Sequence, residues 1–343
     1  MAKIKFFDAT LRDGNHAVKH QLTAQNVEDY CQAIDRAGMD TIIVGHGNGL
    51  GASSLQVGLA LLSDKEMLTC ARKNLIKTKL GAYLIPGFGT IHTDIEPALA
   101  CGVEVFKVGC HCTEADTTKQ HIEYIRNAGK EAYGVLMMYH MTDTSRLLIE
   151  AQKMQAYGAN GIILMDSAGA STMELVKKTV ATLHDGLNVQ VGFHSHNNLG
   201  LAVANAYIAI QQGATIIDGT LRGFGAGAGN CQLEALIALL LKNDYELPGV
   251  DWYKLLDASE NVVRDFMAED RALSSLSIVS GTAGVFSSFK LHVERAAQRF
   301  NVDPRDIFIE LGKRKIVGGQ EDMIVEVAAE LQNQNAVNQS ISF

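Results

Sequence analysis

At 343 residues the chain is too long for a small disulfide-stapled domain and suits one large domain with an appendage. Hydrophobic residues make up 47% and charged residues 20%, which supports a sizeable core and excludes a disordered composition. A formal net charge of -8 argues against nucleic-acid and membrane-surface partners, which need a basic face, and the longest apolar run, Ala235 to Leu241, is far too short to span a bilayer.

Met1 leads straight into a strand-like segment containing Asp8, so no signal peptide is expected. One theme then repeats: a short apolar, β-branched run, a polar turn, and a segment of helical period. Strands are predicted at Ile4 to Ala9, Thr41 to Gly45, Leu80 to Ile85, Val103 to Gly109, Ala132 to Met138, Gly161 to Asp166, Val189 to His194 and Thr215 to Gly219. Amphipathic stretches lie between them. Thr23 to Ala37 places Val27, Tyr30, Ile34 and Ala37 at helical spacing, and Thr144 to Tyr157 and Thr172 to Leu183 follow the same pattern. Gly38, Gly158 and Gly213 each stand where a helix must end in a left-handed residue before the next strand. Strands alternating with helices imply a parallel sheet, and about eight units in roughly 240 residues match a (β/α)8 TIM barrel over residues 1–247 better than an open doubly wound sheet. Strand count alone leaves closure open.

After Leu241 the pattern changes. Pro248-Gly249 marks a turn, and helices are predicted at Trp252 to Val263, Ser287 to Phe300, Pro304 to Leu311 and Gln320 to Gln332. They form a helical C-terminal domain, 248–332, which reads as an addition to the barrel, with a polar tail, 333–343, expected to fray. Six cysteines without small-scaffold spacing suit reduced thiols in a cytoplasmic protein.

In such a barrel the reactive groups stand at the C-terminal ends of the strands. The first strand runs into Asp8-Ala-Thr-Leu-Arg-Asp-Gly-Asn-His16 and the seventh into His194-Ser-His-Asn-Asn198. In extended backbone His194 and His196 point to one side with Cα atoms about 7 Å apart, a spacing for two ligands of one ion. Asp13 is the natural third ligand, because first and last strands adjoin in a closed barrel; its alternative is a turn residue before Gly14. Two imidazoles and a carboxylate with open positions suit Mn²⁺, Mg²⁺ or Fe²⁺, and a 2-oxo acid has the two oxygens to fill those positions. Arg12 offers a donor fork for an enolate oxygen, or an ion pair with Asp8 or Asp166. His16 is a candidate proton carrier or an exposed loop residue. Asp166-Ser167 could contact substrate or form part of the rim. Cys110-His111-Cys112 is weak as a zinc site without a second pair, and the glycine run 223–229 fits a tight loop at the barrel mouth better than a phosphate cradle.

The segments 8–16, Val44-Gly-His-Gly-Asn-Gly-Leu-Gly-Ala-Ser-Ser54, Leu84-Ile-Pro-Gly-Phe-Gly-Thr90, His111-Cys-Thr-Glu-Ala-Asp116, Gly192-Phe-His-Ser-His-Asn-Asn-Leu-Gly200 and Gly225-Ala-Gly-Ala-Gly-Asn230 together resemble the metal-dependent 4-hydroxy-2-oxovalerate aldolases, within the wider group of HMG-CoA lyase and isopropylmalate synthase. The resemblance covers nearly the whole chain. It implies a class II pyruvate aldolase with Asp13, His194 and His196 on a divalent ion, usually Mn²⁺, with Mg²⁺ or Co²⁺ as alternatives. It implies further that Arg12 stabilises the pyruvate enolate, that His16 is the base for the substrate 4-hydroxyl, and that Arg12, Asp13, Ser167, His194 and Phe286 contact substrate. The family has Gly-Val-Tyr-Ser-Ser-Phe where this chain has Gly284-Val-Phe-Ser-Ser-Phe289, so Phe286 lacks a hydroxyl. By the same resemblance the C-terminal helices dock an acylating acetaldehyde dehydrogenase, the assembly is oligomeric, and the setting is aromatic-hydrocarbon catabolism in the cytoplasm. Two other readings compete. One is a Claisen-type acyl-CoA enzyme sharing the metal rim, against which His16 and the aldolase-like segments speak. The other is a scaffold with lapsed chemistry, hinted at only by Phe286.

Overall fold

A computed structural model of the chain describes residues 3–267 and 273–341. All eight predicted strands form: β1 Lys5–Asp8, β2 Thr41–Ile43, β3 Lys79–Leu84, β4 Val105–His111, β5 Glu131–Met137, β6 Gly161–Asp166, β7 Gln190–Ser195 and β8 Ile216–Gly219. Each pairs in parallel with the next, and β1 pairs with β8 (Phe7 opposite Asp218), so the sheet is a closed barrel and the open alternative falls. Side-chain alternation sorts the strands into two layers. Phe7, Ile43, Tyr83, Val105, Tyr133, Val135, Ile163, Met165 and Ile216 fill the interior. Phe6, Ile42, Leu80, Phe106, Ile162, Phe193 and Ile217 face outward into the larger core that the helices cover. The helix Ala24–Ala37 buries Val27, Tyr30 and Ile34 there, is capped by Thr23, and ends on Gly38 at φ 78°. Gly158 and Gly213 adopt positive φ as expected at the corresponding helix ends (97° and 101°).

Polar side chains close the lower end of the barrel. Lys5 donates to Tyr133 (3.1 Å) and Gln190 (3.0 Å), Tyr133 donates to Glu131 (2.6 Å), and Lys79 pairs with Glu131. The chemistry is therefore left to the opposite rim.

The helix Trp252–Ala258 and the wider turn Ser259–Val263 pack on the barrel: Leu255, Ala258 and Val263 share its outer core. The barrel unit thus extends past the expected boundary at 247. A separate core begins at Leu276 and joins Val285, Phe289, Val293, Ile307, Phe308, Leu311, Ile324 and Val327. Its helices are Ser275–Ala283, Lys290–Phe300, Pro304–Lys313 and Asp322–Ile341. The first has no counterpart in the sequence reading. Its run of Ser, Gly, Thr and β-branched residues is a poor helix former, and packing between the barrel and Pro304–Lys313 overrides that propensity. The last helix, Asp322–Ile341, runs into the segment expected as a tail, and 333–341 contains no Gly or Pro to stop it. The final two positions of that tail lie outside the described residues.

The two units are joined at the mouth. The Ser287 N–H donates to the Ser167 carbonyl (3.1 Å) and its hydroxyl to Asn198 Oδ1 (2.8 Å), while Asn198 Nδ2 donates to Ser280 Oγ (2.7 Å).

Candidate active site

β7 aims His194 into the barrel, and His196, two residues on, emerges on the same side at the mouth. Their Nε2 atoms face each other at 3.4 Å. Asp13 arrives from the turn after β1, where its N–H and that of Arg12 close back on the Ala9 carbonyl (2.7 and 3.0 Å). One ligand atom from each of Asp13, His194 and His196 lies within 4.8 Å of the others, and all three residues are buried. Asp13 precedes the short helix Gly14–Ala17 but makes no side-chain cap to it, so the turn-residue alternative does not account for its carboxylate. Oδ1 accepts from Arg12 Nη1 (2.7 Å), and Oδ2 accepts from Asn230 Nδ2 (2.6 Å) and the Ala226 N–H (3.1 Å). The glycine run thus reaches the centre itself. A Cβ on Gly225 would lie 2.5 Å from Asp13 Oδ2, so only glycine allows the loop to pass so close.

This donor set fits a divalent cation. His194 Nδ1 lies 3.0 Å from Asp218 Oδ1, which fixes the Nδ1–H tautomer and leaves Nε2 as the ligand. Burial lowers the pKa of both imidazoles, that of His194 strongly, and so keeps them in the neutral form a cation requires. Burial opposes ionisation of Asp13, yet the Arg12 guanidinium beside it outweighs burial and holds the carboxyl well below the usual carboxylate range. A neutral pair of facing nitrogens beside a fixed carboxylate offers three lone-pair donors to one positive ion.

Arg12 is 3% exposed and pairs with its neighbour Asp13; the expected partners Asp8 and Asp166 are engaged elsewhere. Asp8 takes bonds from Thr10 and Tyr30, and Asp166 from the Ala170 and Ser171 N–H groups (3.0 and 3.1 Å). The Arg12 guanidinium stacks on the Tyr83 ring (4.9 Å), and its Nε and Nη2 find no acceptor among the described residues. His16 is half-buried rather than a free loop residue. Its ring stands edge-on to His20 (5.0 Å), which stacks on His46 (3.6 Å), and the bare Cα of Gly47 seats it: a Cβ there would come within 2.4 Å of His16 Nε2. Burial pushes its pKa down to about 4.

A cavity of about 670 Å³ is lined by Arg12, Asp13, His16, His196, Ser167 and Phe286, among others. Ser167 Oγ is buried without a hydrogen-bond partner among the described residues, so Ser167 fits the substrate-contact reading, while Asp166 shapes the turn. Phe286 presents an apolar ring beside Phe289 (centroids 5.8 Å apart). Cys110 and His111 line the cavity, but neither Cys110 nor Cys112 joins a group of metal-type donors among the described residues, which argues against zinc there. Tyr83, Lys107, His20, His46 and Asn230 stand at or near this centre without a sequence motif that singles them out. Lys107 carried a usable signal, a lone cation inside an otherwise apolar parallel strand.

A closed parallel barrel with two imidazoles and a carboxylate converging at its C-terminal mouth defines the class, and the sequence agrees: residues 3–262 match the HMGL-like family model and residues 271–333 the DmpG-like communication domain. Curated relatives narrow this. The 4-hydroxy-2-oxovalerate aldolase of Pectobacterium atrosepticum is 55% identical over 98% of each chain, that of Spirochaeta aurantia 52% over 95% of each, and that of Carboxydothermus hydrogenoformans 49% over 97% of this chain and 98% of its own. The chain belongs to the 4-hydroxy-2-oxovalerate aldolase family. Among solved structures, the carboxyl transferase domain from Rhizobium etli pyruvate carboxylase matches with a TM-score of 0.79 and 14% identity, over 98% of this chain and 61% of that one, a likeness of fold alone.

Proposed function

We propose that the chain cleaves 4-hydroxy-2-oxovalerate, or a close 4-hydroxy-2-oxo acid, to pyruvate and acetaldehyde or another aldehyde, with Mn²⁺ as the preferred divalent ion. The observation that carries this reading is the convergence of Asp13, His194 and His196 beside a cavity that Asp13 and His196 line together with Arg12 and His16. A divalent cation held by those three ligands would supply Lewis-acid polarisation of the 2-oxo group. The remaining steps belong to the protein. His16, neutral near pH 7, accepts the proton of the 4-hydroxyl. As that oxygen becomes the aldehyde carbonyl, the C3–C4 bond breaks and its electron pair moves toward the C2 oxygen. The free N–H groups of Arg12 stand ready to donate to the negative charge that develops there. Protonation at C3 then completes pyruvate, so one proton is removed and one returned. Ser167 Oγ has a donor and lone pairs to spend on the substrate, and the Phe286 ring gives the cavity an apolar surface that limits what it accepts.

The helical unit supports docking of an acylating acetaldehyde dehydrogenase that consumes the aldehyde, in an oligomeric assembly. Six free cysteines favour a cytoplasmic setting, and no helix among the described residues is long and apolar enough to cross a membrane. The family resemblance supports a role in aromatic-hydrocarbon catabolism.

The test is pyruvate release from 4-hydroxy-2-oxovalerate. Activity is expected with Mn²⁺, to vanish after chelation and to return when Mn²⁺ is restored. Turnover undiminished by thorough metal removal would contradict the reading.

A further inference from the structure

Beneath the three-ligand cluster lies a chain of charge that the reaction steps above do not use. Lys107 stands in the middle of β4 and Asp218 in β8, and both side chains are fully buried. Lys107 Nζ pairs with Asp218 Oδ2, while Asp218 Oδ1 lies 3.0 Å from His194 Nδ1. Strand register sets the second contact, since His194 and Asp218 are directly opposite in the β7–β8 ladder. The Tyr83 ring centroid lies 5.7 Å from Lys107 Nζ and 4.9 Å from the Arg12 guanidinium carbon.

An ammonium at this depth is costly to desolvate, and the layer below it is built from Val105, Ile163 and Ile216, so an apolar side chain would serve packing alone. With His194 as its only other partner among the described residues, the Asp218 carboxylate would be free to turn about its last torsion. We infer that Lys107 is a positioning residue for His194: by holding one oxygen of Asp218 it turns the other onto His194 Nδ1 and so keeps His194 Nε2 directed at His196 and Asp13. The inference rests on the reading of Asp13, His194 and His196 as cation ligands. It adds an outer relay, Lys107 to Asp218 to His194, whose purpose is affinity for the ion.

The experiment is calorimetric titration of the full chain with Mn²⁺ alone, for the wild type, Lys107→Met, Asp218→Asn and the double variant, with circular dichroism to confirm folding. Asp218→Asn is expected to weaken Mn²⁺ binding about 10–100-fold and Lys107→Met about 10-fold, the range for outer-shell partners. Because Lys107 acts through Asp218, the double variant should bind within about twofold of Asp218→Asn alone rather than losing the product of both effects. At saturating Mn²⁺ its kcat for pyruvate release should return to within about twofold of the wild type, a recovery that general distortion of the barrel would not permit. Lys107→Met leaves a buried carboxylate uncompensated; if it does not fold, the double variant, which carries neither charge, decides. Wild-type affinity in folded Lys107→Met or in the double variant overturns the inference, as does a loss in the double variant equal to the product of the singles. Mn²⁺ binding by the wild type with unaltered variants removes this inference alone, whereas no binding by the wild type removes the ligand reading and the inference with it.

Discussion

Arg12→Ala is expected to lower kcat/KM for pyruvate release by about 10²–10³-fold at saturating Mn²⁺, roughly 3–4 kcal/mol of transition-state stabilisation, the scale of one lost oxyanion donor. The size of the effect follows from how the side chain is held. Nη1 is committed to Asp13 Oδ1 and to the Gly47 carbonyl (2.7 and 3.2 Å), the planar face rests on Tyr83, and Nε and Nη2 remain for substrate. Such a group is oriented before substrate arrives and needs no reorganisation as charge develops. Lysine is not expected to substitute, because a flexible ammonium lacks the fork that bonds Asp13 and the reacting oxygen together. Steady-state kinetics would separate the roles. A fall in kcat marks an interaction made in the transition state, and a rise in KM alone would mean that Arg12 only holds substrate.

His16→Ala should cost about 10²–10⁴ in kcat, the contribution of a positioned general base, while Mn²⁺ binding stays near wild type because His16 is outside the ligand set. The pH profile carries a second expectation. Burial lowers the His16 pKa from the usual 6.5 to about 4. A depressed pKa keeps the imidazole in its base form to lower pH, so the acid limb of wild-type activity should fall nearer pH 4 than pH 6.5. The substitution should remove the part of that limb that belongs to His16. An alanine variant with wild-type kcat would remove His16 from the chemistry and leave it as packing against His20.

These expectations depend on residues of unequal visibility in the sequence. The strands were legible because runs such as 80–84 and 161–164 are apolar, buried on both faces and bounded by turns. The ligand set was legible because period-two geometry puts His194 and His196 on one side, and closure of the barrel brings Asp13 beside them. What stayed hidden depends on register and tertiary packing. The sequence left Arg12 a choice of Asp8 or Asp166, since both end strands at the rim. In the fold Tyr30, on an outer helix, and Thr10 occupy Asp8, and the partner is the adjacent Asp13. Lys107 and Asp218 are 111 positions apart, and the barrel's shear places their ends together. His20 and His46 meet because two successive left-handed residues, Lys19 and His20 (φ 54° and 61°), fold the loop back. The domain boundary and the helix Ser275–Ala283 were missed for a common reason. Both are decided by which core a segment joins, and local propensity is silent on that.

The most direct measurement of the central claim is electron spin resonance of Mn²⁺ added to the purified chain, with pulsed detection of ligand nitrogens. One ion per chain is expected, coupled to two imidazole nitrogens. Asp13→Ala should weaken its affinity beyond the about 100-fold reached by outer-shell changes, and His194→Ala and His196→Ala should each remove one nitrogen coupling. A bound ion without imidazole coupling, or one that survives loss of the carboxylate unchanged, would contradict the account.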